Sequence, residues 1–200
     1  MRYLALGDSY TIGTGASSPR DSWPTIISAR LAREIHGRVL LTNPAVNGFT
    51  TLDLIEDELP VFRRLKPDLV TILIGVNDLV RGRSEADYRA SIERIYDEVA
   101  TGKAPDGRVF AVSIPNWSVV PAAREYGDPE QIRHLTDIFN DIAREEADKR
   151  GFGWIDITAA SLSGLGTPGW IASDGLHPGD NQYAAWAEVI WHSVRETAKR

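Results

Sequence analysis

Two hundred residues fit one ordinary domain, with enough chain to bury a core without disulfides or metals. Twenty-two basic and twenty-eight acidic residues give a net charge of −6. The basic ones are scattered rather than striped, which argues against nucleic acid or an anionic membrane surface as partner. With no cysteine, disulfides, thiolate catalysis and cysteine-bound metals are excluded.

The first apolar run, residues 3–6, reads as a strand and leads straight into Gly7-Asp8-Ser9-Tyr10. Trp23, Ile27, Leu31 and Ile35 recur every four residues and predict a helix. A second strand at 39–42 is followed by Asn47-Gly48. Leu52, Ile55, Leu59 and Phe62 keep a helical period, although Pro60 is expected to kink or split that helix. The most apolar run, 69–74, ends in Gly75-Val76-Asn77-Asp78. Ser84-Glu85-Ala86-Asp87 reads as a capping box that opens a helix through Tyr88, Ile92, Ile95, Tyr96 and Val99.

The fourth strand, 109–114, precedes a long insertion at 115–130 that carries Asn116, Trp117 and Tyr126. Leu135, Ile138, Phe139 and Ile142 mark another helix, and 154–157 a fifth strand. Asp174-Gly175-Leu176-His177-Pro178 stands just before the last helix, marked by Tyr183, Trp186, Ile190 and Val194.

Five strands alternating with five helices predict an α/β fold: a three-layer α/β/α sandwich with a five-stranded parallel sheet, flavodoxin-like, in one domain over 1–200. Right-handed crossovers put every strand's C-terminal end on one edge, where such sheets bind ligands. Ser9, Gly48 and Asn77 each fall just after a predicted strand, and hence on that edge. No run approaches about 18 apolar residues, so stable membrane insertion is not expected. Met1-Arg2-Tyr3 enters the first strand without a leader pattern, and the expected location is cytoplasmic.

Each polar block admits two readings. Ser9 is a nucleophile only if a base reaches its hydroxyl; otherwise Asp8-Ser9 is a helix cap. His177 suits a general base, and Asp174 three residues earlier can orient it; otherwise the pair is a capped, solvated loop. Asn77 can aim an amide at an oxyanion, and Gly48 a backbone N–H, yet both also belong to ordinary turn chemistry. His36, His134 and His192 lack paired metal-ligand spacing, and Asp156 at a strand end reads as structural.

Taken together, the four blocks resemble the SGNH-hydrolase superfamily of GDSL esterases and lipases, over almost the whole chain from Gly7 to Pro178. The resemblance implies the SGNH hydrolase fold, with Ser9 as nucleophile, His177 as base and Asp174 as its orienter. Ser9 N–H, Gly48 N–H and the Asn77 amide would form the oxyanion hole. Phe49 stands where many relatives have a small or acidic residue.

No metal or other cofactor is implied. The expected substrate is a small ester, with short-chain acyl or acetyl groups favoured by the lack of a large lid. Phe49 and Trp117 are candidates for an apolar substrate wall, the alternative for Trp117 being that it only packs its loop down. A carbohydrate O-deacetylase, a lysophospholipase or thioesterase, and a catalytically silent binding module are the alternatives. Oligomeric state is not legible.

Overall fold

The computed structural model describes residues 1–196. Its elements run β1 (Arg2–Gly7), α1 (Ser9–Ile12), α2 (Trp23–Glu34), β2 (Leu40–Thr42), α3 (Thr51–Asp53), α4 (Leu59–Leu65) and β3 (Leu69–Leu73). They continue as α5 (Val76–Val80), α6 (Glu85–Gly102), β4 (Arg108–Val112), α7 (Pro129–Lys149), β5 (Gly153–Ile155), α8 (Thr158–Leu162) and α9 (Asp180–Val194). The five strands form one sheet in the order β2-β1-β3-β4-β5, and every pairing is parallel.

This order follows from the sequence. All five β3 side chains are buried, as a central strand covered on both faces requires. Each full burial of such a side chain contributes roughly 1.5–3 kcal/mol. Helices α2 and α9 pack together on one face, while α4, α6 and α7 cover the other. The predicted stripes are the core: Trp23, Ile27 and Leu31 from α2, Tyr88, Ile92 and Ile95 from α6, and Tyr183, Trp186 and Ile190 from α9 are all buried. The chain leaves β1 toward β2 on one side and resumes at β3 on the other, so the strand order reverses between β1 and β3. The segments after those two strands therefore flank the switch point, where open α/β sheets bind ligands.

One local expectation takes a specific form and two change. The split expected at Pro60 takes the form of a π-helical stretch, Leu54–Glu58, that joins α3 to α4, with Leu59 N–H bonded to Leu54 C=O. The widened turn takes the proline ring that a regular α-turn would clash with. At Ser84 only half of the capping box forms. Its hydroxyl oxygen accepts from Asp87 N–H, while the Asp87 carboxylate takes the Ser84 hydroxyl rather than its backbone N–H. Asn77 lies in the first turn of the short helix α5, not in a loop. Among the described residues no helix is long and apolar enough to cross a membrane.

Candidate active site

Ser9 is delivered by a turn with no spare room. A Cβ on Gly7 would stand 2.2 Å from the Leu73 carbonyl oxygen and 2.3 Å from Thr11 Oγ1, so only glycine lets β1 end this close to β3. Asp8 then caps α1, its Oδ1 accepting from Tyr10 N–H at 3.0 Å. The cap reading of this block holds: Asp8 is the cap, and it sets Ser9 as the first helical residue. The other side of the turn is held by Glu58, whose Oε2 accepts from Gly7 N–H at 3.0 Å.

The second and third blocks meet through side chains. The Asn77 amide donates to Phe49 C=O at 3.0 Å, which fixes one of its two N–H bonds and leaves the other for a ligand. Asp78, fully buried, accepts from Thr51 N–H at 2.8 Å and from the Thr51 hydroxyl at 2.6 Å. Gly48 occupies the third position of a turn closed by Phe49 N–H to Val46 C=O, with φ at +81°, a conformation that favours glycine. Its carbonyl accepts from the exposed Arg81 guanidinium at 2.9 Å.

The base candidate sits on a loop that holds itself. Asp174 Oδ1 accepts from both Leu176 N–H and His177 N–H at 2.9 Å, and its Oδ2 lies 2.6 Å from His177 Nδ1. Ala172 N–H to His177 C=O, at 2.8 Å, closes the loop from behind. Burial pushes the Asp174 carboxyl up, but these N–H bonds and the imidazole outweigh it and hold the carboxyl below its ordinary range. With Nδ1 engaged, Nε2 is the nitrogen free to act, and Tyr10 braces the ring edge-on at 6.2 Å.

Ser9, Asn77 and His177 line one cavity of about 60 Å³, together with Tyr10, Val76, Val80, Trp117, Tyr126 and Leu176. No hydrogen bond joins the Ser9 and His177 side chains in this resting geometry, among the described residues. Gly48 and Phe49 are adjacent but outside the lining, and Asp174 stands behind the histidine. Trp117 is buried, with Tyr126 edge-on to it at 5.7 Å. Their segment is tied to the histidine loop by Ala122 N–H to Gly175 C=O at 3.0 Å. His36, His134 and His192 are exposed and outside this lining, and Asp156 Oδ1 accepts from the Thr158 N–H and hydroxyl at the start of α8. Among the described residues no three of His, Asp and Glu converge as metal ligands.

Sequence reasoning missed the acids behind Ser9. Burial raises the Asp8 carboxyl to about 7, against the pull of Tyr10 N–H and with the help of the nearby Asp78 charge. Burial likewise raises Glu58 to about 8, against the Gly7 N–H and with Asp8 and Asp57 adding to the rise. Nothing in the Glu56-Asp57-Glu58 run distinguishes its third member from a solvated acid. The available signal was periodicity, since Glu58 falls on the stripe of Ile55 and Phe62.

Residues 5–185 match the model of a family described as the GDSL-like lipase/acylhydrolase family. The chain is 23% identical over 196 residues to an esterase, TesA, of Pseudomonas aeruginosa, covering 96% of this chain and 87% of that protein. It is 24% identical over 178 residues to an arylesterase of Vibrio mimicus, covering 88% of this chain and 80% of that one. A crystal structure of TesA superposes with a TM-score of 0.77 at 20% identity, covering 98% of this chain and 99% of the other.

Proposed function

The chain belongs to the GDSL-like lipase/acylhydrolase family, and from that premise we propose that it is a serine esterase cleaving small esters of short acyl groups. The observation that carries this reading is a histidine pinned at Nδ1 by Asp174, at 2.6 Å, whose ring lines the same small cavity as Ser9 and Asn77. Nucleophile, base and electrophilic donor thus meet where the sheet order reverses.

The proposed reaction is acyl transfer to water. His177 Nε2 takes the Ser9 proton as Oγ attacks the ester carbonyl, and the carbonyl electron pair moves onto oxygen. That oxyanion is held by Ser9 N–H, Gly48 N–H and the free N–H of the Asn77 amide. The Phe49 carbonyl prepositions the amide, so little reorganisation accompanies charge development. His177 then protonates the leaving alcohol as the carbonyl re-forms. A water, deprotonated by the same histidine, frees the acid and returns the proton to Ser9. Asp174 fixes the tautomer throughout and favours the imidazolium.

The cavity supports a short acyl group. At about 30 Å³ per water, 60 Å³ is the room of about two waters, close to an acetyl group in size. Val76, Val80, Leu176 and Trp117 supply apolar walls for it. The test is hydrolysis of p-nitrophenyl esters from C2 to C12, with Ser9→Ala as the blank. Ser9-dependent turnover that peaks at C2 to C4 is expected. A peak at C8 or longer would overturn the short-acyl reading, and turnover that survives in Ser9→Ala would remove Ser9 from its role.

A further inference from the structure

Beneath Ser9 lies a group of buried acids that the acyl-transfer steps do not use. Asp8, Glu58 and Asp78 are all fully buried. Asp78 is provided for by Thr51 and by Arg83, 3.6 Å away. Asp8 and Glu58 are not. Each uses one carboxyl oxygen on the Gly7–Tyr10 backbone, and each leaves the other, Asp8 Oδ2 and Glu58 Oε1, buried with no protein partner. Two buried carboxyls that hold the Gly7 and Tyr10 N–H groups of one turn, with no cation paired to either among the described residues, cannot both carry charge cheaply.

We propose that Glu58 is a positioning residue of the Ser9 turn: its uncharged carboxyl holds the Gly7 peptide, and loss of its proton slows acyl transfer by placing a negative charge behind the oxyanion. The proposal rests on the serine-esterase reading above. The Gly7 N–H to Glu58 Oε2 bond lies two residues before Ser9, whose own N–H would hold the oxyanion, so Glu58 acts through one rigid turn. Glu58 ends the π-helical stretch, on the same buried stripe as Ile55 and beside the buried Leu59.

The charged and titratable groups around Glu58 come from every side of this pocket. Asp8 faces it from the turn after β1, and Asp57 adjoins it on its own helix. Asp78 acts on Asp8 from α5, with Arg83 beyond it. The Tyr88 phenol of α6 donates to Ile74 C=O near both. Arg83 is the cation of the group, and among the described residues its carboxylate contact is Asp78. With Glu58 raised to about 8 by burial, its proton is lost over the mildly alkaline range.

The experiment compares kcat and KM on p-nitrophenyl acetate from pH 5.5 to 9 for the wild type, Glu58→Gln and Glu58→Leu. In the wild type kcat is expected to fall at least threefold between pH 7 and 9. Glu58→Gln keeps an acceptor for Gly7 N–H but cannot ionise. It should match the wild type within threefold at pH 6.5 and lose the alkaline fall, with the acid limb unchanged. Glu58→Leu removes the acceptor and should lower kcat at least tenfold with KM within twofold. An alkaline fall that persists in Glu58→Gln, or none in the wild type, overturns the proposal.

Should the variants fail to fold, infrared spectroscopy of wild type carrying ¹³C-labelled glutamate decides. A protonated glutamic acid band at pH 6.5 that disappears by pH 9 supports the proposal, and its absence at pH 6.5 overturns it. Fluorophosphonate labelling, lost in Ser9→Ala, tests the esterase reading separately. No label at Ser9 sinks both ideas, whereas label with an unchanged alkaline limb sinks only the role of Glu58.

Discussion

The two sides of the site are built on opposite plans. The Ser9 turn is continuous with the core: Gly7 touches β3, Asp8 and Glu58 are buried on either side, and neither acid meets a cation. The His177 loop is half-exposed and locally closed, with one carboxylate satisfying two backbone N–H groups and the imidazole. Their protonation therefore pulls stability in opposite directions. A carboxyl raised in the fold contributes stability that is full below its unfolded pKa and is lost as pH rises through the folded one. Asp174, held low, contributes stability that is present at neutral pH and lost as pH falls through its folded pKa.

The strongest way to break this comparison is at the loop. Asp174→Asn keeps the shape but presents the wrong hydrogen-bond partner to Nδ1. It is expected to lower kcat by about 10⁴-fold with little change in KM, and to lower Tm only slightly, by the share of stability that the ionised carboxylate contributes. A large Tm loss would mean that the loop is tied into the core after all.

The next effect is on stability and belongs to the turn. Glu58 and Asp8 hold protons in the fold, with values of about 8 and about 7, that the unfolded chain has already released near pH 4. The fold therefore binds more protons than the unfolded chain between about pH 4 and 8, and stability falls as pH rises across that window. At 1.36 kcal/mol per unit, Glu58 alone accounts for roughly 3–5 kcal/mol. Melting curves at pH 5, 6.5 and 8 should show the wild type losing ground to Glu58→Gln as pH increases. Parallel curves for the two proteins would contradict burial of an uncharged acid.

Asn77→Ala sharpens the comparison from the third block. It should cost 10²- to 10³-fold in kcat, about 2.7–4 kcal/mol of transition-state stabilisation. Tm should fall by far less, because the lost amide touches only Phe49 C=O. By contrast Asp78, its neighbour, is structural: it ties Thr51 and Arg83 to the sheet edge.

That contrast between adjacent residues shows what sequence can convey. The strands were legible because Leu69–Leu73 and its neighbours are continuous apolar runs, and the placing of three of the four blocks was legible because each of those follows a strand. The functions of Asp78 and Glu58 were not. An acid after a strand looks like turn chemistry, and an acid in a charged helical run looks solvated, until packing brings Thr51 or Gly7 to it. The α5 helix was read as a loop because five residues are too few for periodicity to register. At Pro60 a kink or split was legible but its form was not, because a π-helical stretch has no sequence signature of its own.

The smallest effect separates the turn and loop from a third region, the Gly48 turn, which belongs to neither plan. It is surface-held, by its own Phe49-to-Val46 bond and by the guanidinium of Arg81, which is 59% exposed and only 3.9 Å from Asp53. An exposed pair of that kind contributes little to stability, so Arg81→Ala should leave the unfolding free energy unchanged within about 1 kcal/mol. If Gly48 N–H holds the oxyanion, loosening the turn still costs catalysis, by about threefold in kcat with KM unchanged, in line with one solvent-exposed hydrogen bond of about 0.5–1.5 kcal/mol. A kcat identical to the wild type would leave Ser9 N–H and the Asn77 amide as the donors that carry the charge. The oxyanion would then be held wholly from the core side of the site, and Gly48 would be a turn residue only.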